Sequence, residues 1–170
     1  QLSITDVDAG EANFQAGAVP GTYGSLDIDA GGVWTYTLDN EGADVQGLGA
    51  GATITDTISV WSVDGTAQNI SITITGTNDA PVISGDTSAF VAEDVLVNGT
   101  GNLVASGYLS ITDLDTDEAS FQADMVPGAY GTLEIDSNGG WTYTVDNGRS
   151  DVQGLGAGAT ITDMISVWSV

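Results

Sequence analysis

The sequence predicts an all-β protein built as tandem Greek-key β-sandwiches, and three observations carry that expectation. Apolar residues alternate with Thr, Ser and Asp in short runs, as strands with one buried face require. Gly and Asp close those runs, and the chain holds 24 Gly and 19 Asp against 5 Glu and 3 Pro. The short Asp carboxylate bonds nearby backbone and so belongs to turns rather than helix interiors. Roughly seven such runs occupy each stretch of roughly 100 residues with no helical period, the density of an antiparallel sandwich.

Taken in order, Leu26 and Ile28 mark one strand and Trp34, Tyr36 and Leu38 the next, with Asp29-Ala30-Gly31-Gly32 between them as a hairpin turn. Residues 54–60 form a third. After the Asp64-Gly65 turn, Ile70, Ile72 and Ile74 alternate with Ser71 and Thr73 in a fourth. Each strand is expected again 107 residues later, where Asp136-Ser137-Asn138-Gly139-Gly140 repeats the hairpin turn. One face of each strand supplies Trp, Tyr, Ile and Leu to the core, Trp34 and Trp141 among them. Trp61-Ser62-Val63 breaks the alternation and gives Trp61 no face. Gly47-Leu48-Gly49-Ala50-Gly51 reads as a flexible turn.

The offset of 107 is an internal repeat that never slips. Leu2-Ser3-Ile4-Thr5-Asp6 returns as Leu109-Ser110-Ile111-Thr112-Asp113, Trp34-Thr35-Tyr36-Thr37 as Trp141-Thr142-Tyr143-Thr144, and 44–56 unchanged as 151–163. Aligning 1–63 with 108–170 gives 45 identities without a gap. A period this long exceeds the 20–50 residues of solenoid units, so each copy is expected to be a domain. Gly76-Thr77-Asn78-Asp79-Ala80-Pro81 interrupts the pattern and reads as the boundary, giving 1–80 and 81–170. On this reading the first repeat lacks its N-terminal part and the second its last strand, as in a window on a longer tandem protein or a subunit whose neighbours lend strands.

Composition excludes whole classes of chemistry. One Lys+Arg, Arg149, stands against 24 Asp+Glu, with no His and no Cys, for a formal charge of -23. Disulfides, thiolate catalysis, the usual zinc sites and Ser-His-Asp chemistry are therefore ruled out, as are a P-loop phosphate clamp and a basic nucleic-acid surface. No apolar run approaches the ~20 residues of a membrane span, so membrane insertion of this segment is not expected. An enzyme is not expected either, since only a two-carboxylate glycosidase stays chemically open.

The acids gather where loops begin. Asp6, Asp8 and Glu11 form one cluster, and Asp113, Asp115, Asp117 and Glu118 form its copy. Asn78 and Asp79 sit at the boundary, Glu93 and Asp94 follow it, and Asp64 precedes Gly65. Like charges this close repel unless a cation lies among them, and a hard oxygen-only donor set selects calcium over zinc or copper. The spacing is neither that of an EF-hand nor that of the calcium-binding nonapeptide.

In series, Asp6-Val7-Asp8-Ala9-Gly10-Glu11, Tyr23-Gly24-Ser25-Leu26, Trp34-Thr35-Tyr36-Thr37-Leu38-Asp39-Asn40, Ile54-Thr55-Asp56, Asp64-Gly65 and Gly76-Thr77-Asn78-Asp79-Ala80-Pro81 resemble the VCBS repeat of large bacterial RTX-type adhesins. The resemblance covers essentially the whole chain. It implies a cadherin-like or immunoglobulin-like sandwich, type I secretion to the cell surface, and an extender role in cell adhesion or biofilm formation. Asn78-Asp79 resembles the cadherin interdomain linker, Glu93 the acid of the first strand, and Asp113 with Asp115 the DxD loop, which implies a calcium between linker and second domain. Such repeats often carry an acid before the Ile54 strand, where this chain has Ala52 and Ala159.

The expected function is thus a calcium-stiffened stalk whose partners are neighbouring repeats of the same chain. The alternatives are a subunit of a self-assembling filament or surface layer joined to other copies by strand addition, or a glycan- or protein-binding module using Trp61 and Tyr108.

Overall fold

A computed structural model describes residues 1–8 and 10–170; Ala9, within the first acidic motif, lies outside the described residues. The chain divides into two compact units, Gln1–Asp79 and Ala80–Val170. Both are almost entirely antiparallel β-structure, and among the described residues no helix is long and apolar enough to cross a membrane.

In the first unit β1 (Gly17–Pro20), β2 (Gly24–Ile28) and β3 (Trp34–Leu38) form a meander, and β4 (Thr53–Trp61) pairs with β5 (Ala67–Thr75) in a second sheet. The register puts Leu26 opposite Tyr36 and Ile28 opposite Trp34, so the period-2 pattern delivers one continuous apolar face. Phe14, Leu26, Ile28, Ile58, Val60 and Ile70 form the buried core, with Trp34, Tyr36 and Ile72 at its margin. The turn between β2 and β3 closes as expected. The Asp29 carboxylate accepts the Val33 amide at 2.9 Å, and Gly32 takes the left-handed backbone (φ +80°) that lets the turn reverse. Trp61, which the sequence left without a face, lies on the outside, while Ser62 turns inward to 2% exposure.

In the second unit β6 (Val82–Gly85), β7 (Asn102–Thr112), β8 (Asp124–Pro127), β9 (Thr132–Ile135) and β10 (Gly140–Asp146) make one sheet in the order β6-β7-β10-β9-β8. Three hairpin-connected strands followed across the sheet by β7, which precedes them in the chain, are a Greek key. Strand β7 is the longest among the described residues, and sequence alternation did not reveal its full length. Its inward positions are Leu103, Ala105, Gly107, Leu109 and Ile111, so small residues dilute the pattern at its centre. They are small for a reason: Gly107 lies opposite Trp141 in the ladder, and a Cβ there would collide with the indole. Trp141 is 7% exposed and donates its indole N–H to the Asp86 carbonyl at 3.1 Å. Two single-turn helices, α1 (Ala43–Gln46) and α2 (Ser150–Gln153), each bury one valine, Val45 or Val152.

One strand expectation fails. Residues 160–168 differ from β4 only by Met164 in place of Thr57, yet they form no ladder. In the first unit β4 is a strand because β5 pairs with it over nine residues; among the described residues of the second unit nothing plays that part. Among the described residues each unit therefore shows five strands rather than seven. Joining the halves through the offset of 107 recovers seven kinds per period, with β6 and β7 seen in the second unit and β4 and β5 in the first.

Gly107→Val should destabilise the second unit by about 1–3 kcal/mol through overpacking against Trp141. Chemical denaturation should show its transition moving while that of the first unit stays in place.

Candidate functional site

The acidic loop after Thr5 is shaped by its own side chains. Asp6 Oδ1 accepts the Asp8 amide at 2.9 Å, the Asn13 side chain donates to the Gly10 carbonyl at 3.0 Å, and Gly10 sits at φ +92°. The loop thereby folds back so that one carboxylate oxygen from each of Asp6, Asp8 and Glu11 lies within 4.8 Å of the others, a set that is unique among the described residues. Asp6 is half-buried, and Asp8 and Glu11 are exposed. Three anionic oxygens at this spacing, with no nitrogen or sulfur donor, fit a calcium ion, which takes six to eight oxygens at 2.3–2.6 Å and keeps waters readily.

The copy does not repeat that arrangement. Asp113 Oδ1 again accepts the Asp115 amide at 2.9 Å, but no three ligand atoms of Asp113, Asp115, Asp117 and Glu118 converge within the same distance. Asp115 is buried to 3% exposure where Asp8 is exposed, and Asp117 occupies the left-handed position (φ +67°) that Gly10 fills in the first loop. The backbone turn survives duplication and the carboxylate cluster does not.

The remaining candidates are dispersed. Asp64 lies in the β4–β5 turn and accepts the Ser62 hydroxyl. The Asn78 side chain is exposed and donates to the Asp79 carbonyl, and Asp79 is half-buried at the end of the first unit. Asp94, at φ +59°, is held by the side chains of Asn147 at 2.9 Å and Gln153 at 3.1 Å, and those bonds, Asn147 first, keep its carboxyl below the ordinary value. Its role is to fasten the start of the second unit to the segment after β10. Glu93 is half-buried, and its Oε2 is shielded from solvent without a hydrogen-bond partner.

Sequence reasoning missed the most constrained carboxylates. Asp56, 1% exposed, points into the first unit from β4. It accepts the amides of Thr22 and Tyr23 at 3.0 Å each and the Tyr36 hydroxyl at 2.9 Å. Asp163 does the same in the second unit with Ala129 at 2.8 Å, Tyr130 at 3.0 Å, Gly131 at 3.1 Å and the Tyr143 hydroxyl at 2.9 Å. The turn that wraps each carboxylate is Pro-Gly-x-Tyr-Gly, at 20–24 and 127–131, and a Cβ on Gly21 or Gly128 would strike the carboxylate. Burial alone would push the Asp56 carboxyl up, but the bonds from Thr22, Tyr23, Tyr36 and Thr57 together bring it below the ordinary value. For Asp163, burial is likewise overcome by Tyr130, Ala129, Gly131 and Tyr143. The Tyr36 phenol is pushed up to about 12, by burial first and then by Asp56, and Tyr143 rises for the same reasons. The signal was present: Asp56 falls in phase with Ile54, Ile58 and Val60, an acid on the core side of an alternating strand.

Two antiparallel β units, each with a DxD loop and an aspartate clamped by a Pro-Gly-x-Tyr-Gly turn, can be compared with known families. The sequence model of the bacterial cadherin-like domain matches residues 1–76 and again 78–169. The chain belongs to that family. A bacterial cadherin-like domain is a structural, adhesion-type module of the cell exterior and not typically an enzyme, and the model matches twice along the chain. A search of curated proteins returns no match.

The buried carboxylates of these cadherin-like domains make acid stability testable. Because the folded-state carboxyls lie below their unfolded value, the unfolded chain binds more protons as acid is added. Their contribution is complete above the unfolded value near pH 4 and is lost as pH falls through the folded one. Asp56→Ala should destabilise the first unit by about 3 kcal/mol by orphaning two amides and a hydroxyl, and Tyr36→Phe by about 1 kcal/mol. Urea denaturation at pH 7 and pH 3 should show the Asp56→Ala deficit shrinking in acid.

Proposed function

We propose that the chain is a calcium-stiffened extender segment of a large secreted, cell-surface adhesin, of the VCBS and RTX kind, that holds an adhesive tip away from the cell in adhesion or biofilm formation. The observation that carries this reading is the convergence of Asp6, Asp8 and Glu11 in a cadherin-like domain. Asp6, Asp8 and Glu11 hold the ion in the first unit. In the second unit, Glu93, Asp113 and Asp115 are the oxygen donors of this reading, and the shielded Glu93 Oε2 supports its part in it. The bound ion supplies positive charge that lets the acids coexist; the chain supplies oxygens on loops already shaped by Asx-type turns.

Charge explains why such a protein responds to calcium. With a formal charge of -23 and Arg149 as its one basic side chain, the protein has almost no internal counter-charge. Arg149 itself is engaged with Asp151 at 2.9 Å in an exposed pair of little energetic weight. Self-repulsion therefore loosens the array, and divalent ions reverse it. The same charge repels nucleic acid and anionic lipid, which leaves neighbouring repeats as the partners of the segment.

Calcium at 100 times its dissociation constant should stabilise the first unit by about 2.7 kcal/mol, read as a rise in its melting temperature that chelator reverses. Asp6→Asn combined with Asp8→Asn should abolish that rise while slightly raising the melting point in chelator, because repulsion is relieved. X-ray scattering should show a narrower distribution of dimensions with calcium. Dimensions and melting temperatures indifferent to both calcium and chelator would reduce the segment to an acidic spacer.

A further inference from the structure

The triplet Asn-x-Ser/Thr occurs twice in the chain, as Asn69-Ile70-Ser71 and as Asn98-Gly99-Thr100. In a protein of the cell exterior it is the acceptor for sugar attachment to the asparagine side chain, provided that it lies on a surface loop. So short a pattern recurs by chance and decides nothing alone. The fold separates the two.

Asn69 lies within β5, opposite Ser59 in a ladder that pairs every residue from Ala67 to Thr75 with β4. Its Oδ1 accepts the Ser59 hydroxyl at 2.8 Å. The middle residue, Ile70, is 7% exposed and belongs to the core, and Ser71 is held opposite Thr57. A transferase must engage the asparagine and the hydroxyl together. Here it would have to peel β5 from β4 and lift Ile70 out of the core.

Asn98 lies in the turn that leads into β7, and Asn98, Gly99 and Thr100 are all exposed. The Asn98 amide donates to the Asn102 carbonyl at 2.8 Å and the Gly101 amide to the Asn98 carbonyl at 3.0 Å, with Gly101 at φ +84°. The Asn98 Oδ1 accepts the Thr100 amide at 3.0 Å, the Asn102 amide at 2.9 Å and the Thr100 hydroxyl at 2.7 Å. The side chain is thus set in an Asx-type turn, and the hydroxyl and carboxamide that a transferase reads together already touch. All three bonds fall on the oxygen, and none ties up Nδ2, the atom that sugar attachment uses. A hydroxyl donating to that oxygen draws electron density from the carboxamide, which makes a proton on the nitrogen easier to remove. Residues 95–112 also contain no Asp or Glu in a chain with 24, so the neighbouring sequence does not repel an anionic sugar donor.

We propose that Asn98 is an N-glycosylation acceptor that the folded second unit presents to a glycosyl diphosphate donor, and that folding closes Asn69. In the transfer, Asn98 Nδ2 forms a bond to the anomeric carbon of the sugar and the bond from that carbon to the diphosphate oxygen breaks. The diphosphate leaves with the electron pair, and one Nδ2 proton passes to a base of the transferase. The acceptor depends on the turn and not on calcium, so its failure and the failure of the stalk reading are separable.

The test incubates the folded 170-residue chain with UDP-glucose and a soluble transferase that reads Asn-x-Ser/Thr, and in parallel with a lipid-linked oligosaccharide and a membrane-bound one, and maps the products by peptide mass. Sugar is expected at Asn98 with Asn69 left bare, whereas synthetic peptides of residues 66–74 and 95–103 are both modified. Thr100→Ala should abolish the transfer and Thr100→Ser should retain it. In material recovered from the surface of the natural host Asn98 should carry a sugar, a single hexose marking a nucleotide carrier and a preassembled oligosaccharide a lipid carrier. The proposal is overturned if Asn98 of the folded chain stays bare with both donors, if Asn69 is modified equally in the folded chain, or if the host's own material is bare at Asn98.

Discussion

A carboxylate buried between the two sheets of the first unit holds them together. Asp56 projects from one sheet and takes its hydrogen bonds from the turn and the tyrosine of the other. An ionised group inside a protein is tolerated only when its oxygens are satisfied, and here three or four donors meet it at 2.8–3.1 Å. This requirement dictates much of the nearby sequence. The glycines of the Pro-Gly-x-Tyr-Gly turn leave room for the carboxylate, the tyrosine hydroxyl must reach it, and the acid must lie in phase with the isoleucines around it. Asp163 makes the same set of bonds to the turn and tyrosine of the second unit.

Fold class was legible because turn chemistry and alternation agree. Where strands meet large core residues on both sides, as in β2, β3 and β4, alternation is clean. It failed at β7 because Trp141 needs the space of Gly107, which removes an apolar signal from the middle of the longest strand. It failed in the opposite sense at 160–168, where a faultless strand pattern has no partner among the described residues. Alternation reports which face is apolar; only a neighbour makes a strand.

The acidic cluster was legible to a lesser degree. Asp6, Asp8 and Glu11 could be chosen from spacing, because Asx turns bring residues two apart to one side of a loop. The copies Asp113, Asp115, Asp117 and Glu118 have nearly the same spacing, yet a buried Asp115 and a left-handed Asp117 separate their oxygens. Asp64 and Asp94 were chosen by charge and serve as turn and fastening residues. Acid content locates loops, whereas the direction of each side chain depends on burial that sequence does not display.

The near-identity of the two copies also bears on how the protein reaches its native state. Asp56 must find its own turn rather than the same turn in the next copy, which lies about twice as far along the chain. Chain entropy disfavours the wrong closure by only about 0.6 kcal/mol per doubling of loop length, too little to prevent crossed sandwiches, a characteristic failure of repeat proteins. Emergence from the ribosome supplies the missing discrimination. The turn at 20–24 and Asp56 are both synthesised before Ala129 to Gly131 exist, so between these two copies vectorial translation favours the closure that thermodynamics barely separates.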